Sequence, residues 1–111
     1  FEVVNTDVSR QRGLSGRQKI GASGMLFVFD ELGFHGIWMK EMLFNLELIW
    51  VRESRVVEIT KNVLAPKLGT SQRDLPSYYP QQAVDIVIEV EEGFVEANGV
   101  GVGDELLLVD G

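Results

Sequence analysis

The regular alternation of apolar and polar residues is clearest at Val84-Asp85-Ile86-Val87-Ile88-Glu89-Val90-Glu91. Val84, Ile86, Ile88 and Val90 recur at every second position, with Asp85, Glu89 and Glu91 opposite them, the period of a strand with one apolar face. Residues 24–29 (Gly-Met-Leu-Phe-Val-Phe) are apolar at both parities and predict a strand covered on both sides. Residues 46–52 and 55–61 are two β-prone runs joined at Glu53-Ser54, the pattern of a hairpin, with Glu58 and Lys61 at its wet positions. Shorter strands are predicted at 1–5, 36–40 and 104–109. A helix is predicted over 7–14, capped by Thr6 or Asp7 and with Gly16 near its end, and a second over 92–98, closed by Gly99 as a left-handed residue.

Six or seven strands with two short helices do not fit a parallel βαβ fold, which needs regular alternation with longer helices. The expected class is mainly β: a β-sandwich, jelly-roll-like or partly closed barrel. Residues 62–83 hold all three prolines (Pro66, Pro76, Pro80) and no periodicity. They are expected to form a long crossover strapped across one end of the sandwich. The pair Tyr78-Tyr79 inside it is flanked by prolines and should be ordered.

With 111 residues the chain predicts one domain over 1–111, long enough to bury about two thirds of its unfolded surface without disulfides. It opens on Phe1 within a strand-like run, so we expect a fragment or processed form. No run of 18 apolar residues exists, so no spanning helix and no direct membrane insertion is expected of this chain. The net charge is −7, which argues against phosphate backbones and anionic lipid surfaces as partners. That charge is uneven: residues 1–23 carry +2, residues 24–83 carry −1 and residues 84–111 carry −8. The absence of Cys removes thiol chemistry, and a single His removes imidazole clusters, so neither a metal nor a cofactor is expected.

Several motifs resolve into ordinary structure. Gly99-Val100-Gly101-Val102-Gly103 follows a helix and precedes a strand, the reverse of a dinucleotide loop, and reads as a turn. Gly13-Leu14-Ser15-Gly16 and Gly21-Ala22-Ser23-Gly24 are incomplete nucleophile elbows, and His35 in Gly33-Phe34-His35-Gly36 reads as a solvated turn histidine. The adjacent acids Asp30-Glu31 and Glu91-Glu92 point to opposite faces if the backbone is extended there.

Trp38-Met39-Lys40 is the most informative stretch. On a strand, Trp38 and Lys40 share a face while Ile37 and Met39 take the other. An aromatic ring beside a cation and a carboxylate suits a sugar or carboxylate ligand, because the ring stacks and the charges hydrogen-bond. The plainer alternative places Trp38 in the core with Lys40 running out along it. Arg17, Trp38, Lys40 and Glu47 are the candidate ligand-binding residues, with Tyr78 and Tyr79 as a lid.

Seven blocks then fall in a familiar order. These are Arg12-Gly13-Leu14-Ser15-Gly16-Arg17, Gly24 to Phe29, Trp38-Met39-Lys40, Leu46-Glu47-Leu48-Ile49, Pro76-Ser77-Tyr78, Ile86 to Phe94, and Gly99 to Asp104. Together they resemble the domain-of-unknown-function 192 family over nearly the whole chain. The resemblance implies a mainly-β, sandwich or jelly-roll fold in a small bacterial or archaeal domain. It implies an extracytoplasmic location, periplasmic or at the cell surface, and no activity. Ser15 stands where the family usually has Met, Glu41-Met42 where it has Asn-Thr, and Asn45-Leu46-Glu47 where it has Pro-Leu-Asp. These departures weaken a catalytic role and leave a binding or structural one intact.

The expected function is therefore a non-catalytic ligand- or protein-binding module of the cell envelope. One alternative is a hydrolase acting on a sugar or cell-wall substrate, with Glu47 as acid or base. Another is a structural accessory domain without a pocket.

Overall fold

A computed structural model of the chain describes residues 1–107. Seven strands form among them, in two sheets, with two short helices and no closed barrel. In chain order the elements are β1 (Glu2–Val4), α1 (Asp7–Arg12), β2 (Met25–Gly33), β3 (Ile37–Trp38), β4 (Leu46–Arg52), β5 (Arg55–Val63), β6 (Ser77–Tyr78), β7 (Val84–Glu91) and α2 (Phe94–Ala97). The larger sheet runs β1-β2-β7-β4-β5, and β3 pairs with β6 in a second, two-stranded sheet.

The expected hairpin is present, with β4 and β5 antiparallel and Arg52 opposite Arg55. Its turn places Glu53 at φ 48° and Ser54 at φ 70°, the double positive φ of a type I′ turn. One pair at the edge is parallel: β1 runs alongside β2 with Glu2 opposite Met25. The crossover between those strands contains α1, which begins with a reciprocal cap. Thr6 Oγ1 accepts the Ser9 N–H at 3.0 Å, and Ser9 Oγ accepts the Thr6 N–H at 3.0 Å. The helix stops at Gly13, at φ 47°, where an added Cβ would press on the Phe27 ring.

Both faces of the large sheet are covered. One carries Met25, Phe27, Leu46, Leu48, Trp50 and Val87, packed with Leu14, Ile37, Met39 and Met42 from the segments that cross it. The other carries Leu26, Ile49, Val51, Ile86, Ile88 and Val90, packed with Val95 of α2. Trp50 is completely buried, and its Nε1–H donates to Thr60 Oγ1 at 2.8 Å, so the largest core side chain leaves no polar atom unpaired.

This covering changes the expected reading of β7. The row opposite Ile86, Ile88 and Val90 is not a solvated edge: Val87 and Glu89 are buried, Asp85 is half-buried, and only Glu91 is exposed. The strand lies between β2 and β4, and a second layer seals the face on which the acids were expected to be wet.

Residues 62–83 are not a bare strap. β5 extends to Val63, a 3-10 turn forms at Gln72–Asp74, and β6 supplies half of the second sheet, with Tyr78 opposite Ile37 and Ser77 opposite Trp38. After α2 the chain returns to the hairpin. Gly103 N–H donates to Val56 O at 2.8 Å, Leu106 N–H donates to Ser54 O at 2.7 Å, and Glu105 bridges Arg55. Of the strand expected over 104–109, positions 108 and 109 lie outside the described residues. No helix among the described residues is long and apolar enough to cross a membrane.

Candidate functional site

Strand alternation in β3 and the residues after it sets the site. Ile37 and Met39 enter the core, so Trp38 and Lys40 must face outward. Trp38 is 46% exposed, and the Lys40 ammonium sits 5.5 Å from its ring centroid, within cation–π range. The backbone beyond β3 is clipped to the segment following α1. Ser15 Oγ donates to Lys40 O at 2.8 Å, and Gly16 N–H donates to Glu41 O at 2.8 Å. Between them lies a cleft of about 440 Å³, walled by Arg10, Gln11, Arg12 and Ser15 on one side and Gly36, Trp38, Lys40 and Glu41 on the other, so three cations and one carboxylate line it.

The two arginines differ in their freedom. Arg10 donates to Val28 O at 2.6 Å and to Asp7 at 2.8 Å, and lies 5.1 Å from the Phe29 ring centroid. It is committed to holding α1 against β2. Arg12 and Lys40 make no side-chain hydrogen bond among the described residues, and Lys40 rests over the Trp38 ring, so the hydrogens of both remain available to a ligand.

Beside the cleft is a smaller chamber of about 50 Å³, which shares Arg12, Ser15 and Trp38 with it and reaches Phe27, Met42 and Glu89. Glu89 is 4% exposed, and its Oε1 has no hydrogen-bond partner. Its ladder neighbours are Met25 on β2 and Leu48 on β4, neither of which offers a hydrogen. Burial without a donor disfavours the charged form and pushes the Glu89 carboxyl up to about 8, so it is largely uncharged at neutral pH.

The six residues singled out from sequence do not share one surface. Trp38 and Lys40 line the cleft together. Arg17 is paired with Glu2 through two bonds of 2.8 and 2.9 Å and also donates to Ile20 O at 3.2 Å, tying the loop after α1 to β1. That pairing holds the Glu2 carboxyl below its usual range and the Arg17 guanidinium above its own. Glu47 is buried on the opposite face of the large sheet, where Oε1 accepts the Val95 N–H of α2 at 2.9 Å. Tyr78 is half-buried against the core. Tyr79 is exposed and lays its ring over Gly36, where a Cβ would overlap it.

Arg12, Ser15 and Glu89 were not among the candidates. The available signal for Glu89 was Val87, an apolar residue in the same row of alternate positions. His35 stacks on Phe29 with centroids 3.8 Å apart, and its Nε2 lies 2.9 Å from Glu31 O, which accounts for it structurally. No group of three His, Asp or Glu among the described residues gathers closely enough to hold a metal.

These features define a small mainly-β protein with a cationic, tryptophan-walled cleft beside a buried acid. Residues 1–108 match the model of the domain-of-unknown-function 192 family, described as "Uncharacterized ACR", and the chain belongs to that family. Two solved structures share its fold. One, from Sinorhizobium meliloti 1021, is described as a candidate transcription regulator. It superposes with a TM-score of 0.80 at 25% identity, covering 94% of this chain and 77% of that one. The other, a protein of unknown function from Novosphingobium aromaticivorans, has a TM-score of 0.76 at 22% identity, covering 94% and 71%. None of the curated proteins compared with the chain matches it.

Proposed function

We propose that the chain is a non-catalytic binding module that takes a small anionic organic ligand in the cleft beside Trp38. The observation carrying this reading is the meeting of Arg12, Trp38 and Lys40 around a cleft of about 440 Å³ whose lining, with Arg10 and the single carboxylate Glu41, stays net positive in a protein of net charge −7. Small-molecule sites typically measure roughly 300–1,000 Å³ and combine apolar surface with a few placed polar groups. The indole offers a stacking face, while Arg12 and Lys40 offer charge-assisted hydrogen bonds to an anion. Glu47 faces away from this cleft, so a hydrolytic reading that uses it as acid or base draws no support from the geometry. An overall negative charge also favours a small anion over a nucleic acid. An extracytoplasmic setting belongs to the same proposal and rests on the family resemblance; fractionation of the full-length protein in its host tests it.

The binding test is a calorimetric titration with lactate and D-glucuronate, using methyl β-glucoside as the uncharged control. The acids should bind and the glucoside should not. Replacing Arg12 or Lys40 by Ala should weaken binding about tenfold or more, the worth of one charge-assisted bond. Equal binding of the neutral sugar, or wild-type affinity in the R12A/K40A double variant, would refute the reading.

A further inference from the structure

We propose that the chamber beside the cleft is a carboxylate subsite, in which the buried, unpartnered carboxyl of Glu89 hydrogen-bonds a ligand carboxylate. This rests on the cleft being a ligand site and adds the ligand's chemical class, its orientation and a proton linkage.

The first observation is an asymmetry between two buried acids. Glu47 and Glu89 are the buried charged residues among those described. Glu47 is satisfied by the Val95 N–H at 2.9 Å. Glu89 Oε1 is the sole buried side-chain nitrogen or oxygen among the described residues without a partner. An unmet polar atom in a core is costly, and native proteins rarely retain one without a use. The side chain lines a chamber that shares Arg10, Gln11, Arg12, Ser15 and Trp38 with the cleft, so the missing partner is sought in a ligand bound there.

The second observation is the sign of the surroundings. α1 contributes Arg10 and Arg12 to the chamber, while β3 contributes Ile37 and Trp38 and the segment after it Met42. The facing residues of β2 are Met25 and Phe27, and that of β4 is Leu48. On β7 itself the same row holds Val87, half-buried Asp85 and exposed Glu91. The charges lining the chamber besides Glu89 itself are thus positive, which repels a ligand ammonium and admits an anion.

A carboxylate completes this arrangement. Its planar oxygens can accept the Glu89 proton on one side and a guanidinium hydrogen on the other. Two carboxyl groups in contact cannot both be charged, so the bound pair holds one proton between them. Glu89 already carries that proton at neutral pH, its carboxyl being pushed up to about 8. The ligand therefore binds without proton exchange below that point and with uptake of one proton above it. Its carboxylate points inward, and the rest of the molecule lies in the outer cleft against Trp38.

The test is a titration of the whole chain with lactate and D-glucuronate from pH 6 to pH 9.5, in two buffers of different ionisation heat. Wild-type affinity should be level to about pH 7.5. It should then fall by up to about tenfold per pH unit above 8, with buffer-dependent heats there. Glu89→Gln keeps a neutral donor and should bind several-fold more weakly at pH 6, with the fall above pH 8 abolished. Glu89→Leu, checked as folded by its unfolding transition, should lose more than tenfold at pH 6. Wild-type affinity that ignores pH, or an E89L variant that binds as tightly as wild type, overturns the subsite and leaves water as the chamber's occupant. The cleft survives that result if Arg12→Ala still weakens binding. Tighter binding of ethanolamine than of lactate overturns the assignment of an anion. Binding of neither acid to wild type overturns both the cleft and the subsite.

Discussion

Glu89 and Leu48 face each other across the β4–β7 ladder, so a carboxyl group packs beside an isobutyl side chain that offers it no hydrogen. On the other flank stands Met25, equally unable to donate. The consequence is a group that is neutral in the folded protein and charged in the unfolded chain over a wide pH range.

Linkage gives that difference a sign. Below the ordinary carboxyl value near 4.5 the acid is protonated in both states. Between 4.5 and about 8 the unfolded chain has released the proton that the folded protein still holds, so stability falls as pH rises across that window. Above about 8 the loss is complete. Glu89→Gln removes the dependence. Urea unfolding at pH 4.5, 6 and 8 should show the variant gaining on wild type with each step, by a few kcal/mol in all. A constant difference between the two proteins would show that the carboxyl titrates normally.

The indole of Trp50 depends on Thr60 for its one hydrogen bond, at 2.8 Å. Thr60→Val keeps the shape and removes the acceptor. The unfolding free energy should drop by about 1–3 kcal/mol, the cost of a buried donor left unmet. An unchanged midpoint in denaturant would mean that water replaces the hydroxyl.

Glu47 holds α2 to the sheet from the face opposite the cleft. Glu47→Ala should destabilise by about 1–3 kcal/mol through the orphaned Val95 N–H. Ligand titrations at the Trp38 cleft should be unaffected in the folded variant. A binding defect without loss of stability would instead place Glu47 in the site.

The hairpin turn carries two non-glycine residues at positive φ, Glu53 and Ser54. Asn-Gly suits that geometry best. The double variant E53N/S54G should raise stability by about 1 kcal/mol, since the left-handed conformation costs an ordinary side chain roughly 1–2 kcal/mol. A lower melting temperature would show that the Asp85 Oδ1 contact with Glu53 N–H, at 3.3 Å, needs the native turn.

Local patterns reveal elements whose signals are contained within a few residues. Alternation identified β7 and the sharing of one face by Trp38 and Lys40, though not that this face is the outward one. The paired runs around Glu53-Ser54 identified the β4–β5 hairpin, and the Thr6 cap identified the start of α1. The surface expected to unite Arg17, Trp38, Lys40 and Glu47 was harder to judge, because it joined residues from separate segments. Arg17 found Glu2, fifteen positions away, and Glu47 found a backbone amide of α2. Arg12 reached the cleft instead, through a short helix laid across the sheet.

The order of apolar and polar residues by itself determined a mainly-β chain, its principal strands and most of the side chains that share a side of each. Val84, expected beside Ile86, Ile88 and Val90, instead packs with the core that holds Val87, next to the irregularity in the β2–β7 register. Tertiary structure alone decided which of those sides met water. A period of two states that Val87 and Glu89 point the same way, but not what lies above them. That covering comes from residues 36–42 and 77–78, brought over the sheet by long connections, and it turns an apparent surface acid into the floor of a chamber. The physical reason is that strand geometry is set by neighbouring φ and ψ angles, whereas burial is set by whichever distant segment gains most by excluding water from the same surface.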